Sequence, residues 1–107
     1  MNFPTDETGQ VLAEMQQAGI DLSVSHAVVF FHLFEQESQA RAMADFINEN
    51  MKNVQVSVHP DETSNVWDLD CTIQMTPSYD DVIKQESDFE QLAKKFSGYN
   101  DGWGIEA

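Results

Sequence analysis

The sequence predicts an α+β fold with a four-stranded antiparallel sheet, two helices on one face of that sheet, and one more helix at the N-terminus. Two observations lead to this prediction. Segments with the apolar spacing of helices alternate with segments rich in β-formers, and the order after the first helix is β-α-β-β-α-β. Right-handed β-α-β connections then bring both later helices to the same side of the sheet.

Three segments have the spacing of amphipathic helices. The first covers residues 5–18, the second covers residues 36–50, and the third begins after Ser78, a helix cap with Asp81 three residues later. Gly98 is expected to end the third helix. The residues expected to face inward are Val11, Leu12, Met15 and Ala18; Ala40, Met43, Phe46, Ile47 and Met51; and Val82, Phe89, Leu92, Ala93 and Phe96.

Four segments are predicted to be strands. Residues 26–34 are apolar on both faces and therefore suit a central strand. Residues 54–58 alternate valine with polar residues, and residues 65–75 alternate with Trp67, Leu69, Cys71, Ile73 and Met75 on one side. Residues 99–105 form a short last strand. Together these elements predict a ferredoxin-like sandwich.

The length of 107 residues fits one globular domain. We expect a single domain over residues 1–107, with the N-terminal helix at 5–18 and the ferredoxin-like core at 26–105. The single cysteine, Cys71, cannot form an internal disulfide, and the start Met-Asn-Phe-Pro has no secretion-signal pattern. The sequence therefore predicts a cytoplasmic protein.

A candidate partner-binding patch lies on the predicted sheet. If the odd positions of residues 65–75 face the helices, Asp68 and Asp70 point to the open face. The even positions of the first strand, Phe30, His32 and Phe34, are expected to lie beside them and to act as apolar anchors. The alternative is that the N-terminal helix packs on these three residues and completes the core.

The segment Asp101-Gly102-Trp103-Gly104 is the most distinctive in the chain. Asp and Gly supply the backbone freedom of a tight turn, and Trp103 would then pack against the edge of the sheet. In the alternative interpretation, the turn presents Asp101 or Trp103 to a partner.

The charge distribution restricts the class of partner. Nineteen acidic residues against five basic ones give a net charge of −14. This charge repels nucleic-acid phosphates and anionic membranes, so we expect neither direct nucleic-acid binding nor membrane binding. A basic protein partner fits better.

No residue pattern predicts catalysis, a cofactor or a metal. His26 and His32 are about 20 Å apart on one strand and cannot share one metal ion. A small hydrolase using Asp68, Asp70 and His32 is the alternative from another functional class. We expect Asp68 and Asp70 to have no catalytic role, because alternate aspartates are typical of the solvent-exposed face of a strand.

Several segments resemble the RraB family, the regulators of ribonuclease E activity. The resemblance rests on Gly98-Tyr99-Asn100-Asp101-Gly102-Trp103-Gly104, on Leu92-Ala93 and Met75-Thr76-Pro77, and on Gly19-Ile20-Asp21 and His32-Leu33. At Asn100 the chain departs from the closest members, which carry Tyr directly before Asp-Gly-Trp-Gly. The resemblance implies the same ferredoxin-like fold.

The resemblance also implies a function. It implies a non-enzymatic acidic protein that binds ribonuclease E through a basic, non-catalytic segment and inhibits RNA cleavage. The expected partner contacts are Phe30, His32, Phe34, Asp68, Asp70, Asp101 and Trp103. A self-associating module, with Phe30, His32 and Phe34 buried against a second copy, is the alternative among binding proteins.

Overall fold

The computed structural model describes residues 4–106. The secondary-structure elements lie close to the predicted segments, and the first and last strands have the predicted bounds. In chain order the elements are α1 (Glu7–Gln17), β1 (His26–Phe34), α2 (Glu37–Asn50), β2 (Val54–Pro60), β3 (Trp67–Met75), α3 (Tyr79–Lys95) and β4 (Tyr99–Ile105).

The four strands form one antiparallel sheet in the order β2-β3-β1-β4. The central strand β1 pairs with β3 on one side and with β4 on the other, while β2 pairs only with β3. This confirms the predicted α+β class with a four-stranded antiparallel sheet. Within residues 4–106, no helix has the length and apolar character needed to cross a membrane.

The core lies between the sheet and the helices α2 and α3. The odd positions of β3 face this core, as predicted, and Leu69 and Cys71 are fully buried there. Burying apolar side chains of this size stabilises the fold by roughly 1.5–3 kcal/mol each. The core residues are Val28, Phe30, Phe34, Ala40, Met43, Ala44, Ile47, Leu69, Cys71, Val82, Phe89, Leu92 and Ala93.

The predicted orientation of β1 is wrong. Phe30 pairs with Cys71 and His32 pairs with Leu69, so the even positions of β1 share the helix-facing side with the core positions of β3. Phe30 also packs on Phe89 of α3, with ring centroids 5.4 Å apart. Large rings fill the space between sheet and helices, and the odd residues of β1 lie on the other face.

The N-terminal helix does not pack over the β1 aromatics, because α2 and α3 occupy that place. Instead α1 packs against α3. The Asp6 side chain caps α1 by accepting a hydrogen bond from the Gly9 N–H, and the Tyr79 hydroxyl donates to the same carboxylate. Leu12 is fully buried, whereas Ala18, which was predicted to face inward, is exposed.

Two details of the helix faces also differ from the prediction. Phe46 of α2 is 38% exposed and meets Phe96 at the edge of the core, while Ala44 is buried instead. At the end of α3, the residue with a positive φ is Ser97, at 67°, rather than Gly98. Gly98 is required for a different reason, because a Cβ there would lie 2.3 Å from the buried Phe34 ring.

These local geometries predict opposite effects for two neighbouring substitutions. Ser97→Gly removes the strain of a left-handed backbone and should raise the free energy of unfolding by about 0.5–1 kcal/mol. Gly98→Ala inserts a methyl group against the Phe34 ring and should lower it by about 1–3 kcal/mol. Urea denaturation of both variants measures the two changes, and equal effects of the same sign would contradict this explanation.

Candidate partner-binding site

The open face of the sheet is the side that points away from α2 and α3. Its central row comes from the odd positions of β1, and the neighbouring row comes from the even positions of β3. Leu33 lies opposite Asp68, Phe31 opposite Asp70, and Val29 opposite Thr72. An apolar row therefore runs directly beside a row of carboxylates. We call Phe31, Leu33 and Tyr99 the apolar row, since Tyr99 of β4 pairs with Leu33. Val29 lies on the same face but is only 5% exposed.

The carboxylates of Asp68 and Asp70 are only partly hydrated. Their side chains are 21% and 24% exposed, and His59 Nε2 lies 3.3 Å from an Asp68 oxygen and 3.9 Å from an Asp70 oxygen. Burial raises the pKa of both carboxyl groups; nearby Asp61 adds to the effect at Asp68 and Glu106 adds to it at Asp70, while His59 opposes it. The contacts with His59 therefore do not fully offset the cost of burying the two charged carboxylates.

Basic residues are segregated from the sheet. None of the four strands contains Lys or Arg, and the five basic residues of the chain lie in α2, in α3 or directly after α2. Three of them form ion pairs along their own helices with Glu37, Asp88 and Glu90. The open face therefore has carboxylates and an apolar row but no Lys or Arg from a strand.

The predicted site residues lie on three different parts of the molecule. Phe30, His32 and Phe34 are at most 1% exposed and lie under α2 and α3. The prediction that they anchor a partner is therefore wrong. Asp68 and Asp70 lie on the open face, and Asp101 and Trp103 lie at the β4 edge. The open-face residues that the sequence did not indicate are Phe31, Leu33 and Tyr99. Only the pairing of β1 with β3 shows which of two apolar sets lies beside the aspartates.

The segment Asp101-Gly102-Trp103-Gly104 forms a β-bulge. Phe30 pairs with Trp103 and His32 pairs with Asn100, so β4 contains one extra residue at this point. Gly102 has φ +97°, and its N–H donates to the Asn100 side-chain oxygen over 2.9 Å. The segment therefore lies inside β4 and not in the predicted tight turn, while Trp103 packs against the core as the structural interpretation expected.

A cleft of about 490 Å³ lies between this bulge and the helices α1 and α3. Three carboxylates line it, those of Glu7, Glu86 and Asp101. The Asn100 amide donates to Glu86 over 3.1 Å and to Glu90 over 3.3 Å, which ties β4 to α3. Asp101 and Trp103 thus belong to this cleft rather than to the open face. The lining residues are Glu7, Thr8, Val11, Glu86, Asn100, Asp101, Gly102 and Trp103.

His32 is a buried imidazole. Its Nδ1 lies 4.0 Å from the Cys71 sulfur, its ring packs edge-on against Phe89, and its Nε2 has no hydrogen-bond partner. Burial lowers its pKa, although the Leu69 backbone, Glu90 and Asp101 oppose the effect. His32 and the two open-face aspartates lie on opposite sides of the sheet. The hydrolase alternative, which needs all three residues together, is therefore wrong.

The thiol of Cys71 is also part of the core. Cys71 is fully buried, and burial together with the Asp70 charge raises the pKa of its thiol to about 12. A thiol with this pKa is not a nucleophile near neutral pH. Across residues 4–106, no three His, Cys, Asp or Glu side chains are grouped so that they could hold a metal ion.

The bulge predicts different effects at two glycines of the same strand. Gly102→Ala should lower the free energy of unfolding by about 1–2 kcal/mol, because an L-residue is strained at positive φ. Gly104→Ala is the matched control, since its Cβ would only touch Phe31 at 3.6 Å, and it should change stability by less than about 0.5 kcal/mol. Chemical denaturation compares the two, and a larger loss at Gly104 would show that the bulge does not require glycine.

Burial of His32 predicts a pH-dependent stability. Below its ordinary pKa of 6.5, the unfolded chain takes up a proton that the folded chain excludes until the lower folded pKa is reached. The free energy of unfolding should therefore fall as the pH decreases from 6.5, by up to about 1.4 kcal/mol per pH unit. His32→Leu should flatten this slope in denaturation curves between pH 7 and 5. An unchanged slope would mean that His32 has the same pKa in the folded and the unfolded protein.

A search of curated proteins gives no match to the chain. The family model described as "Regulator of ribonuclease activity B", RraB, matches residues 5–105. The match includes both the open face and the Asp-Gly-Trp-Gly bulge, and it confirms the resemblance found in the sequence. The chain therefore belongs to the RraB family of regulators of ribonuclease activity.

Proposed function

We propose that this protein binds ribonuclease E and inhibits its cleavage of RNA, without catalysing a reaction itself. Membership of the RraB family supports the regulatory role. The charge distribution of the chain supports the choice of a basic target. A chain with net charge −14 and no Lys or Arg on its sheet is suited to a basic protein segment.

The proposed target is a basic, non-catalytic segment of the ribonuclease. Such segments hold RNA through Lys and Arg contacts to phosphates, so an acidic protein that occupies one competes with the substrate. Charge complementarity of this kind accelerates association and makes binding sensitive to salt. Inhibition then follows from occupation of the segment, and the catalytic centre is left untouched.

The positions of the titratable groups support a non-enzymatic role. The sheet separates His32 from Asp68 and Asp70, and the Cys71 thiol is buried with a high pKa. Asp68, Asp70, Asp101 and Trp103 remain proposed partner contacts on two separate surfaces. Self-association is the less favoured proposal, because two copies with charge −14 each repel one another.

The proposal extends to the fold and the cellular setting. The strand order β2-β3-β1-β4, with α2 and α3 on one face, supports a ferredoxin-like arrangement. The family match over residues 5–105 supports treating the chain as one domain that includes α1. A ribonuclease target supports a cytoplasmic location.

The test compares two forms of the enzyme. The protein should slow RNA cleavage by full-length ribonuclease E and leave cleavage by the isolated catalytic domain unchanged, because the proposed target lies outside that domain. Binding to the full-length enzyme, measured by biolayer interferometry, should weaken about tenfold or more between 50 and 200 mM salt.

The same measurements can refute the proposal. Equal inhibition of both enzyme forms would place the contact on the catalytic domain. Binding that does not depend on salt would remove the electrostatic basis of the proposal. Absence of binding to either form would refute ribonuclease E as the target.

A further inference from the structure

We propose that the open face of the sheet is the docking surface, and that its occupant is a basic amphipathic helix of the ribonuclease. This inference rests on the proposed function and adds the surface and the conformation of the partner. It is carried by the apolar row and the carboxylates Asp68 and Asp70, which lie on adjacent strands in direct register.

The apolar row provides the anchor. Phe31 and Leu33 are partly exposed, Tyr99 is 46% exposed, and no residue of α2 or α3 belongs to this face. Alternate residues of a strand are about 6.6 Å apart. Residues four apart on a helix are separated by about 6 Å along its axis. Two turns of a helix with apolar residues at that spacing can therefore contact successive members of the row.

The carboxylate row provides the charge contact. Neighbouring strands are about 4.8 Å apart, so a helix centred on the apolar row brings flanking Lys or Arg side chains over Asp68 and Asp70. Both carboxylates are partly buried, and apart from His59 they have no cationic neighbour among the ion pairs of the described residues. Burial raises the pKa of each group because it disfavours the charged carboxylate. A Lys or Arg of the partner would stabilise the charged form of both carboxylates.

Other occupants suit this surface less well. A second copy would bring a second pair of these aspartates and another charge of −14 to the interface. RNA could stack on Phe31, but its phosphates would meet Asp68 and Asp70. The acidic cleft beside the β4 bulge is a separate surface, and it offers no apolar row of this length.

The first test removes the two charges without changing the shape of the face. Asp68→Asn with Asp70→Asn should weaken binding of full-length ribonuclease E by about tenfold or more. The control is Asp45→Asn with Glu49→Gln, which changes the net charge equally on the exposed side of α2. It should weaken binding less than about threefold, because charges distant from the contact act only through screened long-range attraction.

The second test removes an apolar anchor. Tyr99→Ser on the open face should weaken binding by about fivefold to fiftyfold, whereas Ile83→Ser on α3 should leave it nearly unchanged. Ile83 is 37% exposed and belongs to the helix side, so it is the matched control. Thermal denaturation verifies that each variant is folded, and a basic peptide from the target segment should gain helical circular dichroism when the protein is added.

A nuclear magnetic resonance titration of the unmodified protein keeps the inference testable if a variant does not fold. The peptide should shift the methyl signals of Leu33 before those of α2 and α3. Ribonuclease binding that all open-face variants retain, or shifts confined to the cleft, would overturn this docking surface and leave the proposed function intact. If the unmodified protein does not bind ribonuclease E at all, both the docking surface and the proposed function are refuted. The docking surface would also be refuted if RNA caused the same shifts as the peptide. A dimer that the Tyr99→Ser substitution dissociates would refute it as well.

Discussion

The structure depends on the pairing of β1 in the centre of the sheet. This strand is apolar on both faces, which suits a central position where it pairs on both sides and buries one face under helices. Pairing Phe30 with Cys71 and His32 with Leu69 fixes which face that is. Once the large even residues fill the space under α2 and α3, the odd residues necessarily lie on the opposite face. The chemistry of the open face is therefore a consequence of core packing.

The β-bulge in β4 solves a second packing problem. Without the extra residue, Asn100 and Trp103 would fall on opposite faces of the strand, because side chains alternate. With it, Trp103 packs on the core next to Phe30, while Asn100 lies next to His32 and bonds to α3. The acidic cleft between α1, α3 and β4 follows from the same insertion, which explains why Asp101 borders a concave surface.

Electrostatics divides the molecule into two sides. On the helices, Arg41, Lys84 and Lys94 pair with acidic residues one turn away. Exposed pairs of this kind contribute little stability, about 0.3–0.5 kcal/mol each, but they reduce the local negative field. The strands contain no such cations, so Asp68 and Asp70 remain uncompensated except by His59. The sheet side is thus the side on which a basic partner gains most.

The sequence by itself determined every helix and strand, the antiparallel α+β class and the core-facing side of β3. Apolar spacing and turn residues report these features locally, as with the alternation of Trp67, Leu69 and Cys71. It also determined the excess negative charge and the family resemblance. It could not assign the faces of β1, where both sets of side chains are apolar. Nor could it place α1, whose single fully buried apolar residue, Leu12, does not specify a partner.

Tertiary structure decided these points, because they depend on pairing between distant segments. Phe30, His32 and Phe34 became core residues, and Phe31 and Leu33 became neighbours of the aspartates, through the register of β1 with β3. A shift of one residue would have exchanged the two sets. The bulge at Gly102 likewise exists only relative to its partner strand. The sequence specifies the elements, whereas the register between them specifies the surface that a partner meets.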